Sequence, residues 1–210
     1  MTVPVLELMD HTRNEILRDV VGPYLYSEDA LLRFLNEGYK QFARRTHCFV
    51  DELTTLETVA GTARYDLPAD TIFLREVYRE DGVPLSSHTR RAKPSRLLTG
   101  KPIAYTTDTK HSTVKFYPTP DAAYTLELTR AIEAPTVDLS SDIDLPYEQA
   151  MLLPLWMAYR ALQNNDPDGS ETINGRQFFN DWGVGLKEAK IDYTRQAMGD
   201  NPSAQPRHWT

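Results

Sequence analysis

Residues 71–85 read Thr-Ile-Phe-Leu-Arg-Glu-Val-Tyr-Arg-Glu-Asp-Gly-Val-Pro-Leu, and this stretch decides the fold class. Side chains alternate across a strand, so Thr71 to Glu80 places Phe73 and Val77 on one face and Ile72, Leu74 and Tyr78 on the other. Branched and aromatic side chains suit a half-buried pleated surface. Asp81-Gly82 then predicts a type I′ hairpin turn, whose two central residues need positive φ, with a return strand near Leu85.

The period of two extends on both sides. Leu53 to Val59 is a strand that turns at Ala60-Gly61, and Arg64 to Leu67 is a second one closed by Pro68. Further strands are predicted at Ile103–Thr107, Thr113–Tyr117 and Tyr124–Ala131. Short strands at such spacing argue for an antiparallel sheet, sandwich or barrel.

Outside this block the period becomes 3.6. Ser27 is an N-cap, Glu28 and Asp29 suit the first turn, and Leu31, Leu32, Phe34, Leu35, Tyr39 and Phe42 form a helical stripe. An earlier helix is predicted over Val5 to Val20, with Leu6, Met9, Ile16 and Leu17 as its apolar positions and Gly22-Pro23 as its stop. Downstream of a Pro- and Asp-rich loop, Ala134 to Leu145, Pro146 opens a helix whose apolar face includes Met151, Leu155, Trp156 and Tyr159. Pro154 is expected to kink that helix near Ala150. A last helix carries Phe179, Trp182, Leu186, Ala189 and Tyr193 as a seam for packing against other helices.

Neither helical end buries a core alone. The expected fold is therefore α+β: an antiparallel helical bundle formed by N- and C-terminal helices, residues 1–48 and 136–198, with an inserted antiparallel β domain at 49–135. Residues 199–210, with two prolines and few apolar groups, are expected to be a flexible docking tail.

Composition narrows the function classes. The chain has 210 residues and a formal net charge of −7, so bulk electrostatics does not favour holding a phosphate backbone. Eleven tyrosines and three tryptophans offer contact area at low entropic cost. Cys48 is the single cysteine, so no intrachain disulfide forms, which suits a reducing cytoplasm. The first residues lack a basic region followed by an apolar one, so no signal peptide is expected. The apolar run from Ala150 to Tyr159 is shorter than the ~20 residues a membrane span needs.

Most motifs that suggest chemistry have a plainer role. Gly183-Val-Gly185 is not a nucleotide loop, because the third glycine position is Glu188 and the segment is helical. Asn164, Asp166, Asp168 and Gly169 match the start of a calcium loop, yet Gly175 stands where a bidentate glutamate is required. Helix capping by Asp166 before Pro167 explains them better. His47-Cys48 has no further ligands at zinc spacing. Asp138, Asp142, Asp144 and Glu148 could supply a glycosidase pair, but acids in a Pro-rich loop before a helix are more often solvated or capping groups. No cofactor is expected. The basic stretch Arg90, Arg91 and Lys93 stands out in an acidic chain, and its two readings are a contact for DNA or an acidic partner and a plain solvated loop. Arg207, His208 and Trp209 place hot-spot residue types in a flexible tail.

Several pieces together resemble the phage head-to-tail adaptor family, in particular the tail-tubular-A-like adaptors of short-tailed phages. They are Ala60-Gly61 to Asp70, Gly100-Lys-Pro102-Ile-Ala-Tyr105, Val114-Lys-Phe116-Tyr117-Pro118-Thr-Pro120, and Asp144-Leu-Pro146 before a helix. The resemblance implies a non-enzymatic virion protein of the neck, assembled in the host cytoplasm as a homo-oligomeric ring of about twelve copies. It further implies portal binding through Arg207, His208 and Trp209, docking of tail or nozzle proteins, and double-stranded DNA passing through the lumen without sequence-specific contact. The rival readings are a virion-associated peptidoglycan hydrolase using a loop carboxylate and another neck or tail-completion ring protein.

Overall fold

The computed structural model describes residues 2–88, 98–108, 112–165 and 171–198. The chain divides into two units, Met1–Thr46 with Ala134–Thr210, and His47–Glu133.

In the first unit, strand β1 (Val3–Pro4) leads into helix α1 (Val5–His11), which passes into a π-helical turn at Thr12–Leu17. Thr12 Oγ1 donates to Leu8 O at 2.7 Å, a back-bond that competes with the regular ladder where the helix loosens. Arg18 then enters the left-handed region at φ 54° and ends it, so the predicted 5–20 helix is shorter. Its buried side chains are Val5, Leu8 and Met9, whereas Leu6 is exposed. Helix α2 (Glu28–Thr46) follows, capped where Ser27 Oγ accepts the Ala30 N–H at 3.2 Å. It buries Leu31, Phe34, Leu35, Tyr39 and Phe42 of the helical stripe read from sequence, while Leu32 is half-buried.

Among its described residues the second unit holds seven strands: β2 (Val50–Glu57), β3 (Arg64–Asp66), β4 (Thr71–Arg79), β5 (Ser86–Ser87), β6 (Ala104–Asp108), β7 (Thr113–Tyr117) and β8 (Thr125–Ile132). One sheet runs β2-β8-β4 and the other β3-β7-β6-β5. Leu74, Val77, Leu126 and Leu128 of the first sheet share a core with Tyr105, Val114 and Phe116 of the second. Burying apolar surface from both sheets is what holds the pair together.

Two expectations for the founding stretch are revised here. Between Leu74 and Glu76 the partner strand advances only from Arg130 to Thr129, so β4 bulges. The bulge turns Val77 to the same side as Leu74, and both are buried, while Phe73 faces out and stacks on His47 at 5.8 Å. The turn is not type I′. Gly82 has φ +75° but Asp81 does not reach positive φ. The Gly82 N–H donates to Arg79 O at 2.8 Å and the Arg79 N–H to Val83 O at 3.0 Å, the pattern of a three-residue loop with a glycine bulge.

The chain returns to the first unit through β9 (Asp142–Ile143), which pairs with β1, and then α3 (Tyr147–Ala150), α4 (Leu153–Asn165) and α5 (Glu171–Met198). Asn36 fixes the preceding loop: its amide donates to Val137 O at 2.9 Å and accepts the Val137 N–H at 2.8 Å. Pro154 breaks the expected helix rather than kinking it. It lies in the first turn of α4, where its missing N–H costs little, and Leu152 O accepts the Leu155 N–H at 3.0 Å.

The fold class is thus corrected. The protein is mixed α+β, but not an antiparallel helical bundle of N- and C-terminal helices carrying an antiparallel β domain. Backbone competition at Thr12 and the break before Pro154 leave α1 and α3 at seven and four residues. The unit that was to be all helix contains the β1–β9 ladder, and β5 pairs parallel to β6 in the other.

Candidate functional site

No described helix is long and apolar enough to cross a membrane, and no group of His, Cys, Asp and Glu among the described residues could hold a metal ion. What the first unit offers is a groove. Helices α2, α4 and α5 enclose a cavity of about 540 Å³ whose floor is Trp156, Phe179, Trp182 and Leu186. Arg45, Lys187 and Lys190 stand at its edge, and none of its lining residues is a carboxylate.

The groove exists because two glycines let the helices close up. A Cβ at Gly38 would lie 2.7 Å from Trp156, and one at Gly185 would lie 2.4 Å from a Leu152 methyl. The indoles of Trp156 and Trp182 lie 5.6 Å apart, and Phe42 meets Trp182 edge-on at 6.2 Å. Tilted and edge contacts of this kind add to the area term. The Trp156 indole N–H is buried without an acceptor among the described residues. A cationic rim over an aromatic floor suits a partner with apolar anchors and acidic flanks. It offers no nucleophile–base pair.

The second unit has a different polar centre. Arg130 donates to Asp51 Oδ2 at 2.9 Å through Nε, to Thr71 Oγ1 at 2.9 Å through Nη1, and also to Asp70. The Thr54 hydroxyl, the Leu53 N–H and Arg130 together hold the Asp51 carboxyl below its ordinary range. Burial disfavours the Arg130 charge, yet Asp70 and Asp51 outweigh it and raise its pKa. The arrangement ties β2 and the approach to β4 to the central strand β8. It is a clamp, with all three guanidinium nitrogens of Arg130 engaged.

The residues singled out in the sequence form no shared site among the described residues. Arg90, Arg91 and Lys93 lie outside the described residues, as do Arg207, His208 and Trp209. The calcium-loop candidates Asp166, Asp168 and Gly169 also lie outside them. Asp138 accepts from the Ser140 hydroxyl at 2.7 Å and the Ser141 hydroxyl at 2.8 Å, which lower its pKa and close a turn. Asp142 accepts from Thr2 Oγ1, the Asp144 N–H donates to the Tyr39 hydroxyl, and Glu148 stands in the first turn of α3. Gly185 serves helix packing.

Sequence reading missed the groove. Arg45, Lys187 and Lys190 were not among the residues singled out in the sequence. The available signal was their spacing: Leu186 lies four residues beyond Trp182, and Lys190 four beyond Leu186 and three beyond Lys187, which puts them on one side of α5.

A family model described as SU10 adaptor protein matches residues 3–205. No curated protein matches the chain significantly.

Proposed function

Because the chain belongs to the SU10 adaptor protein family, we propose that this bacteriophage structural protein forms the ring that joins the portal to the tail. Membership makes it a phage head-to-tail adaptor and a virion component acting in tail assembly. The finer reading is a neck ring of about twelve copies, with DNA passing through its lumen and tail proteins docking beneath.

The observation that carries this reading is the length of the family match, which takes in both units. The charge of −7 supports it, because a conduit wall rich in phosphate contacts would trap the genome. The aromatic groove supports it too, since a subunit gripped by neighbours needs anchoring surfaces. On this reading 49–135 is an inserted β module, and Arg90, Arg91 and Lys93 meet DNA or an acidic partner. The tail 199–210 orders on the portal with Arg207, His208 and Trp209 as its anchors.

The test mixes the full chain with its portal and measures the mass of the complex. A defined multi-copy ring is expected, and deletion of 199–210 should abolish it while the circular dichroism spectrum is retained. If the portal binds no more than scattered single copies, the ring reading falls. If the truncated chain binds equally well, the tail is not the portal anchor.

A further inference from the structure

The segment between the π-helical turn and α2 is an unexpected surface. Val20, Val21, Tyr24 and Leu25 are 57%, 77%, 55% and 68% exposed, four large apolar side chains within six positions. Such a cluster on a protein surface marks an interaction site more often than an isolated apolar residue does.

The segment is also pinned. Asp19 accepts the Leu25 N–H at 2.9 Å and the Tyr26 N–H at 3.1 Å, and its carboxylate meets the Arg13 guanidinium at 3.5 Å. That guanidinium lies 4.2 Å from the centre of the Tyr24 ring. A loop held this firmly loses little entropy on binding. Directly after it come Glu28 and Asp29, both exposed, in the first turn of α2.

The groove at the other end of α2 has complementary character. Its floor is aromatic and its edge carries Arg45, Lys187 and Lys190. A chain cannot fill its own groove with this loop. From Glu28 to Gln41, which lines the groove, α2 rises about 20 Å at ~1.5 Å per residue.

We infer that the 20–25 loop of one copy docks into the α2–α4–α5 groove of the next. The acids Glu28 and Asp29 then face the neighbour's Lys187 and Lys190. Two different patches meeting head to tail make a heterologous contact, which propagates around a ring when the rotation closes. The inference rests on the ring reading and specifies its contact. Four side chains fall short of the ~800 Å² per partner of a stable standard interface, so the contact should hold within the closed ring and not as a free pair.

The test uses full-length protein assembled on its portal. Val21→Cys and Lys187→Cys, combined in a Cys48→Ser background, should give a ladder of covalently linked copies with a short bismaleimide. Each single-cysteine variant should give none. Reversing Glu28 and Asp29 to Lys should weaken assembly about tenfold, and reversing Lys187 and Lys190 to Glu in the same chain should restore it. If a ring of full mass forms without the ladder and without this rescue, the docking is wrong while the ring stands. If Trp209→Cys crosslinks to Lys187→Cys instead, the tail occupies the groove and the docking is again wrong. If no multi-copy complex forms at all, the ring reading itself fails.

Discussion

Gly38 of α2 faces the Trp156 indole of α4 so closely that an added methyl would stand 2.7 Å from Cδ1 and 3.0 Å from Cγ. Two terms compete at this site. Alanine is favoured over glycine in a helix by about 1 kcal/mol, whereas overpacking a filled site costs about 1–3 kcal/mol. The indole is a rigid plate already packed against Trp182, so it cannot swing aside cheaply. Gly38→Ala is expected to lower stability by roughly 1 kcal/mol net. Thermal unfolding followed by circular dichroism checks this, and a higher melting temperature would refute the close-approach account.

Two of the three glycines of α5, Gly183 and Gly185, should respond oppositely. Gly185 has a Leu152 methyl 2.4 Å from where its Cβ would be, while Gly183 has nothing within 4 Å. Gly183→Ala is expected to stabilise by about 0.5–1 kcal/mol through helix propensity and reduced freedom of the unfolded chain. Gly185→Ala should destabilise by a comparable amount or more. Urea titrations of the two variants side by side are decisive, since equal effects would mean that packing at Leu152 is irrelevant.

What the sequence disclosed was local. Ser27, its acidic followers and the stripe from Leu31 to Phe42 announced α2, because a cap and a helical period are written in neighbouring residues. Thr113–Tyr117 was legible as a strand for the same reason. The bulge at Leu74 and Glu76 was hidden, since it arises from pairing with residues 129 and 130 on β8. The bundle expectation failed because it assumed continuous helices where Thr12 and Pro154 interrupt the ladder. The Arg130 clamp gathers residues up to 79 positions apart, and no window of sequence contains it. The groove was half legible: its floor was read as a packing seam, but its cations become a rim only when α2 lies beside α5.

Replacing Arg130 tests whether that clamp supports the β unit. Arg130→Met leaves Asp51 partly buried beside an apolar chain. Breaking a fully buried pair costs about 3–5 kcal/mol, but Asp70 is half exposed to solvent, so the expectation is about 2 kcal/mol. Arg130→Lys should recover only part of this, because an ammonium cannot serve Asp51, Asp70 and Thr71 with one planar fork. Chemical denaturation gives the three values. A lysine variant as stable as the parent would show that charge alone suffices.

The hairpin turn gives a pH prediction with a definite sign. Hydrogen bonds from Arg79 at 3.1 Å and Lys101 at 3.1 Å hold the Asp81 carboxyl down to about 2, below its ordinary 3.8. A depressed carboxylate pKa favours the native state at pH above the unfolded value, and the benefit drains away as pH falls from 3.8 towards 2. Asp81→Asn removes this contribution while retaining an oxygen for the Val83 N–H. The gap in urea midpoint between parent and variant should therefore be constant above about pH 5, narrow as pH falls through that window, and vanish near its lower end. Because Asp81 is exposed, the gap should also shrink in molar salt, where charges on the surface are screened within about 3 Å. A gap that stays the same from pH 5 to pH 2 would mean that Asp81 acts through turn geometry and not through its charge.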